Sequence, residues 1–189
     1  MEYLTLDLLK QMDDDDSQIA ESAEEEWARQ GAIRFERFKR CKSQLSKRLR
    51  HILDHCYFFH DSFIPEITVQ KHNRRGHITY DVVMTMQYDG YDEPLDGWLI
   101  HRNVQQFDCH MQGLRSERIP QDYLYGEMFL NEDKLWVHNF IFIDESEINI
   151  VCKKIEWVDR KKSDTKKGER HGLVMLIRSG CRMFKKTII

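Results

Sequence analysis

Between His77 and Tyr88 apolar and polar residues alternate. Ile78, Tyr80, Val82, Met84, Met86 and Tyr88 share one parity, while His77, Thr79, Asp81, Thr85 and Gln87 are polar on the other. A period of two sends successive side chains to opposite faces of a strand, so this segment predicts a strand with its Ile78-to-Tyr88 set in the core. Asn73-Arg74-Arg75-Gly76 before it reads as a turn, which makes Ile67-Thr68-Val69 its hairpin partner. Further strands are predicted over residues 98–107, 122–130, 134–143 and 147–157, separated by runs rich in Asp, Glu, Asn and Gly. In the last of these Ile148, Ile150 and Cys152 hold one parity and Ile155 and Trp157 the other, so a bulge is expected near Lys153. Residues 172–177 fit a final strand or a short helix equally well.

The N-terminal pattern has a helical period. Thr5 is placed to cap a short helix ending near Met12, and the four carboxylates at 13–16 interrupt it, because they repel and Asp favours caps over helix interiors. Ser17 or Asp16 then caps a longer helix over about 17–54. Its stripe of Trp27, Phe35, Phe38, Cys41, Leu45, Leu49, Ile52 and Cys56 recurs at threes and fours, and Gly31 is the expected place for a break. The fold class is therefore α+β: an N-terminal helical segment packed on a largely antiparallel, meandering β-sheet of five to seven strands. Three stretches compose it: 1–58 as an acidic-then-basic helical arm, 59–158 as the sheet, and 159–189 as a basic loop with a final strand or short helix. They form one domain, with a mobile loop expected at 159–170.

Composition supports a single core, since 189 residues with 41% hydrophobic content suffice for one. No apolar run approaches the eighteen or so residues of a membrane span, and no basic n-region precedes a hydrophobic stretch, so membrane insertion and secretion are not expected. Five cysteines, odd in number and without a C-x-x-C pair, suit a reducing, cytoplasmic compartment. Charge is segregated: residues 1–26, 27–50, 51–158 and 159–189 carry net charges of −9, +8, −9 and +7. Such blocks are expected to neutralise one another within the fold or across a homo-oligomer, ahead of recruiting an external charged partner.

Four sets of residues are candidates for chemistry. His51, His55, His60 and Asp61 form the sharpest cluster, because histidines four apart on a helix face the same way and the chain leaves the helix through the other two. Zinc is the ion this set would take; histidines at a helix C-terminus near the negative end of its dipole are the simpler account. His101, His110 and His138 fall on separate predicted strands without metal-ligand spacing. Asp89, Asp92, Glu93 and Asp96 make an acidic loop suited to a basic protein partner. Basic residues at Arg34, Arg37, Lys39, Arg40, Lys42, Lys47, Arg48 and Arg50 suit a phosphate backbone, but the acids upstream oppose one, and nucleic acid ranks below protein as a partner. Finally, Trp98, Phe107, Tyr123, Tyr125, Phe129, Trp136, Phe140, Phe142 and Trp157 exceed what alternation hides on one side of a sheet, so an exposed aromatic face is expected. No nucleophile elbow or phosphate-binding glycine loop occurs, so no cofactor is expected and catalysis is the less favoured reading.

Phe59-His60-Asp61-Ser62-Phe63-Ile64, together with Tyr123-Leu124-Tyr125-Gly126-Glu127-Met128, Lys134-Leu135-Trp136-Val137-His138 and Glu147-Ile148-Asn149-Ile150-Val151, resembles a loose set of small bacterial cytoplasmic proteins. In these an H-D-[SA]-x-I-like step leads from helices into a meandering sheet. The resemblance spans about residues 59–158. Some proteins of this look are encoded near polymorphic toxin systems and are suspected immunity proteins. What it implies is a non-catalytic binding role, with a basic toxin as one partner; a metal-dependent enzyme built on the histidine cluster is the alternative.

Overall fold

Side-chain caps set where the helices begin. In the computed structural model, which describes residues 3–55, 57–88, 95–110, 122–160 and 174–178, helix α1 runs Leu6–Met12 and helix α2 Ser17–Cys41. Thr5 Oγ1 accepts from the Leu8 amide at 3.2 Å, and Asp16, rather than Ser17, caps α2 by accepting from the Gln18 amide at 2.9 Å. The expected break at Gly31 is absent. Instead α2 ends in a 3-10 turn over Lys42–Gln44, Leu45 is extended, and helix α3 runs Lys47–His55. Ser46 explains this: its hydroxyl accepts from the Leu49 amide at 3.2 Å, starting a new helix where the old one would have continued. The apolar stripe survives the change of direction, because Phe38, Cys41, Leu45, Leu49 and Ile52 are all buried.

Among the described residues seven strands follow: β1 Ser62–Arg74, β2 His77–Tyr88, β3 Leu95–His110, β4 Asp122–Leu130, β5 Trp136–Phe142, β6 Glu147–Asp159 and β7 Val174–Arg178. The last resolves the C-terminal ambiguity in favour of a strand. All pairings are antiparallel, in the order β2-β3-β6-β5-β4-β1-β7, and β1 also pairs with β2. Strands β1 to β6 thus close into a ring. The single meander expected from the sequence is two three-stranded meanders, β1-β2-β3 and β4-β5-β6, joined by a long β3–β6 ladder from Gly97–Asp159 to His110–Glu147. Closure removes sheet edges that two separate meanders would expose.

The second seam is short. β1 meets β4 only at Ser62–Tyr123 and Phe63–Asp122, and then turns away to pair with β7 over Glu66–Gln70. Helix α2 lies at this opening, sending Phe38 and Cys41 into the same core as Met84, Leu99, Phe140 and Ile150. Burial inside the ring follows strand parity with two corrections. Val82, Met84 and Met86 are fully buried, but Ile78 and Tyr80 are 51% and 42% exposed, because they lie near the hairpin tip at Arg75 and Gly76. Both tip residues have positive φ, as a two-residue turn matching strand twist requires. The parity switch in β6 is present, with Lys153 and Lys154 both exposed; the register shift sits opposite it, between Val104 and Gln106 of β3.

The expected exposed aromatic face is reduced to three half-buried side chains, Trp98, Phe107 and Tyr125. Tyr123, Phe129, Trp136, Phe140, Phe142 and Trp157 are buried, since the ring turns one face inward and the N-terminal segment covers part of the other. Arg37, for example, lies 3.8 Å above the Phe129 ring. Several charges from different blocks pair within the chain, among them Lys10–Glu145 and Arg48–Asp159, both at 2.7 Å, and Lys42–Asp54. Among the described residues, no helix is long and apolar enough to cross a membrane. The loop expected at 159–170 lies outside the described residues apart from Asp159 and Arg160.

Candidate functional site

The chain between α3 and β1 turns sharply. Phe58, Phe59 and Asp61 all have positive φ, at 60°, 66° and 63°, a conformation that costs side-chain-bearing residues about 1–3 kcal/mol each and clusters at functional sites. Packing holds the turn: Phe59 is fully buried and stacks on Trp157 at 5.7 Å, Phe58 meets Phe38 edge-on at 4.6 Å, and the Asp61 amide donates to the Tyr123 carbonyl at 2.9 Å. The turn therefore sits where β1 and β4 begin to separate.

A cleft of about 310 Å³ opens there, between α2, this turn and the start of β4. Its walls are mainly aromatic, from Phe35, Phe58 and Tyr125, and Gly126 also lines it. Only glycine fits at that position, because a Cβ would sit 2.6 Å from the Asn139 carbonyl oxygen and collide with the Tyr123 phenol. One charge enters the cleft. The Arg34 guanidinium lies 5.2 Å above the Phe58 ring and donates from Nη1 to the Gly126 carbonyl, whereas its sheltered Nε has no hydrogen-bond partner. Burial lowers the Arg34 pKa from its ordinary value, with Tyr123, Glu127 and Tyr125 opposing; a guanidinium nonetheless stays protonated in proteins. On the opposite rim His60 packs edge-on against Tyr125 at 5.1 Å, with its Nδ1 2.9 Å from Asp61 Oδ1. The arrangement suits an anionic group attached to an apolar body. A larger opening of about 480 Å³ between α1 and α2 is polar, but its Arg29 and Glu26 already satisfy each other at 2.6 Å.

Two other polar clusters are built differently. His101 and His138, on separate strands without metal spacing, are brought together inside the ring, with His101 Nε2 3.0 Å from His138 Nδ1. Burial pushes His101 down to about 3, and pushes His138 well below the ordinary histidine range. The Val82 backbone opposes the His101 shift, although His101 Nδ1 has no close hydrogen-bond partner. On the outer face the buried Asp81 accepts from Arg102 Nη1 at 2.7 Å and from the Asn103 amide at 3.0 Å. His72 Nε2 is 2.9 Å away but not aligned to donate. Arg102 continues to Glu156 at 2.9 Å, so this network fastens β2, β3 and β6 together.

The residues singled out in the sequence are dispersed. His51 and His55 pack with tilted rings on the exposed side of α3, 4.0 Å between ring centres, and His55 Nδ1 is 2.7 Å from the His51 carbonyl oxygen. His60 and Asp61 belong to the turn at the cleft. Among the described residues no three His, Cys, Asp or Glu side chains gather as a metal site. Asp89, Asp92 and Glu93 lie outside the described residues, and Asp96 faces Arg160 at 3.8 Å. Of the basic run, Arg34, Arg37, Lys39, Lys42 and Arg48 have partners within the chain. Sequence reasoning placed Arg34 in that run and missed its role in the cleft; the only signal was its position one residue before Phe35 on the apolar stripe. No family model matches the chain, and no curated protein matches it.

Proposed function

We propose that the chain is a non-catalytic protein-binding protein and that the cleft at the β1–β4 seam is its recognition site. The observation that carries this reading is the Arg34 guanidinium set among aromatic walls, with Phe35 45% exposed at the rim. Arg, Tyr and Phe are the residue types enriched where proteins bind one another, and an aromatic anchor beside a guanidinium is a common hot-spot composition. The Phe58-to-Asp61 strain supports the same location, since it holds an unfavourable backbone at the cleft wall. A toxin as the partner rests on the sequence resemblance alone. The metal-dependent alternative gains no assembled ligand set from the described residues.

A photo-crosslinking amino acid at position 35 tests the reading in the native host. Adducts to a defined protein are expected at that position and not with the same label at Lys71, an exposed residue on β1. Equal labelling from both positions, or none from position 35, contradicts it.

A further inference from the structure

We infer that the cleft receives the C-terminal carboxylate of a partner protein, carried on an apolar last residue. This rests on the protein-binding reading and names the group recognised. Charge complementarity supplies the sign: Arg34 brings a permanent positive charge to the cleft lining, which among the described residues contains no carboxylate. A guanidinium edge matches a carboxylate better than other anchors of one negative charge. Its Nη1 is already held by the Gly126 carbonyl, so the group is fixed in direction before any ligand arrives.

Size and wall chemistry choose the chain end over an internal acidic side chain. About 310 Å³ is at the small end for ligand sites and admits roughly one residue. An internal Asp or Glu would bring two flanking peptide groups over Phe35, Phe58 and Tyr125, where they would lose water without gaining partners. A terminal residue brings one, and places its carboxylate directly beside an apolar side chain. Phe35 at the exposed rim then covers that side chain.

Isothermal titration in carboxylate-free buffer tests the assignment with four probes: acetyl-Gly-Ser-Gly-Leu with a free carboxylate, its C-terminal amide, acetyl-Gly-Glu-Gly-Leu-amide, and acetyl-leucine. The free-acid peptide is expected to bind saturably, with the amide and the internal-Glu peptide at least about tenfold weaker. Arg34→Lys, which keeps the charge but not the planar fork, is expected to weaken the free-acid peptide by at least about fivefold while melting as the native protein does. Equal binding of acid and amide overturns the carboxylate assignment and leaves crosslinking from position 35 to decide the protein-binding reading. Binding of acetyl-leucine without the peptide overturns the partner chain end, and with it the protein-binding reading of this cleft. No saturable binding by any probe up to about 10 mM, weaker than about 3 kcal/mol, overturns the inference.

Discussion

The interior of the ring and its open seam each enclose a nitrogen without a hydrogen-bond partner, and they deal with it in opposite ways. At His101 the orphan Nδ1 belongs to a group that can shed its proton, and burial holds both His101 and His138 on the neutral side. Arg34 has no such escape, because a guanidinium keeps its charge whatever surrounds it. A buried ionisable group that neutralises itself is compatible with a purely structural interior. One that cannot keeps its charge, so the seam holds a permanent positive group beside the cleft.

Changes that add charge to the interior should have the largest effects. Val82 is fully buried and faces His101 across the β2–β3 ladder, so Val82→Asp should cost about 3–5 kcal/mol through an unpaired buried charge. Chemical denaturation measures this, and unfolding at the native midpoint would remove Val82 from the core. Overpacking at the seam comes next. Gly126→Ala forces the Asn139 carbonyl and the Tyr123 phenol aside, at about 1–3 kcal/mol, and should abolish binding in the cleft; an unchanged melting temperature would contradict the close packing described.

The histidine pair predicts a pH dependence with a definite sign. Its folded pKa values lie below the unfolded value of about 6.5, so the native state binds fewer protons. Stability is fully present above about pH 6.5 and falls as pH drops toward 3, by up to about 1.4 kcal/mol per pH unit for each ring. Between pH 5 and 6.5, above the range where the depressed carboxyls of Glu156 and Asp159 titrate, a His101→Leu/His138→Leu protein should lose most of that slope. An equal slope in both proteins would place the titration elsewhere. The smallest effect is expected from Arg34→Met. Removing a guanidinium whose Nε lacks an acceptor relieves one penalty as it forfeits the bond to Gly126, so stability should change by less than about 1 kcal/mol. A loss of several kcal/mol would make Arg34 a structural residue.

What was legible in the sequence was local. Thr5 and Asp16 announce their helices, and the alternation through Val82, Met84 and Met86 finds the strand and its inward face. Ser46 was equally local but was overlooked beside Gly31, whose open surroundings show that glycine alone does not break a helix. Ring closure was not legible, because it depends on β3 finding β6 and β1 meeting β4 across long stretches of chain. Everything that follows from closure was hidden with it: the burial of Phe140 and Trp157, the meeting of His101 with His138, and the cleft. Arg34 stood among eight basic residues, and the strained turn at Phe58 and its bond to the Gly126 carbonyl distinguish it.

The Arg34 guanidinium resonances, followed by nitrogen-edited NMR, report the central claim directly. The account predicts that they shift when acetyl-Gly-Ser-Gly-Leu is added and stay in place with its amide. A guanidinium spectrum unchanged at saturating free-acid peptide would contradict it.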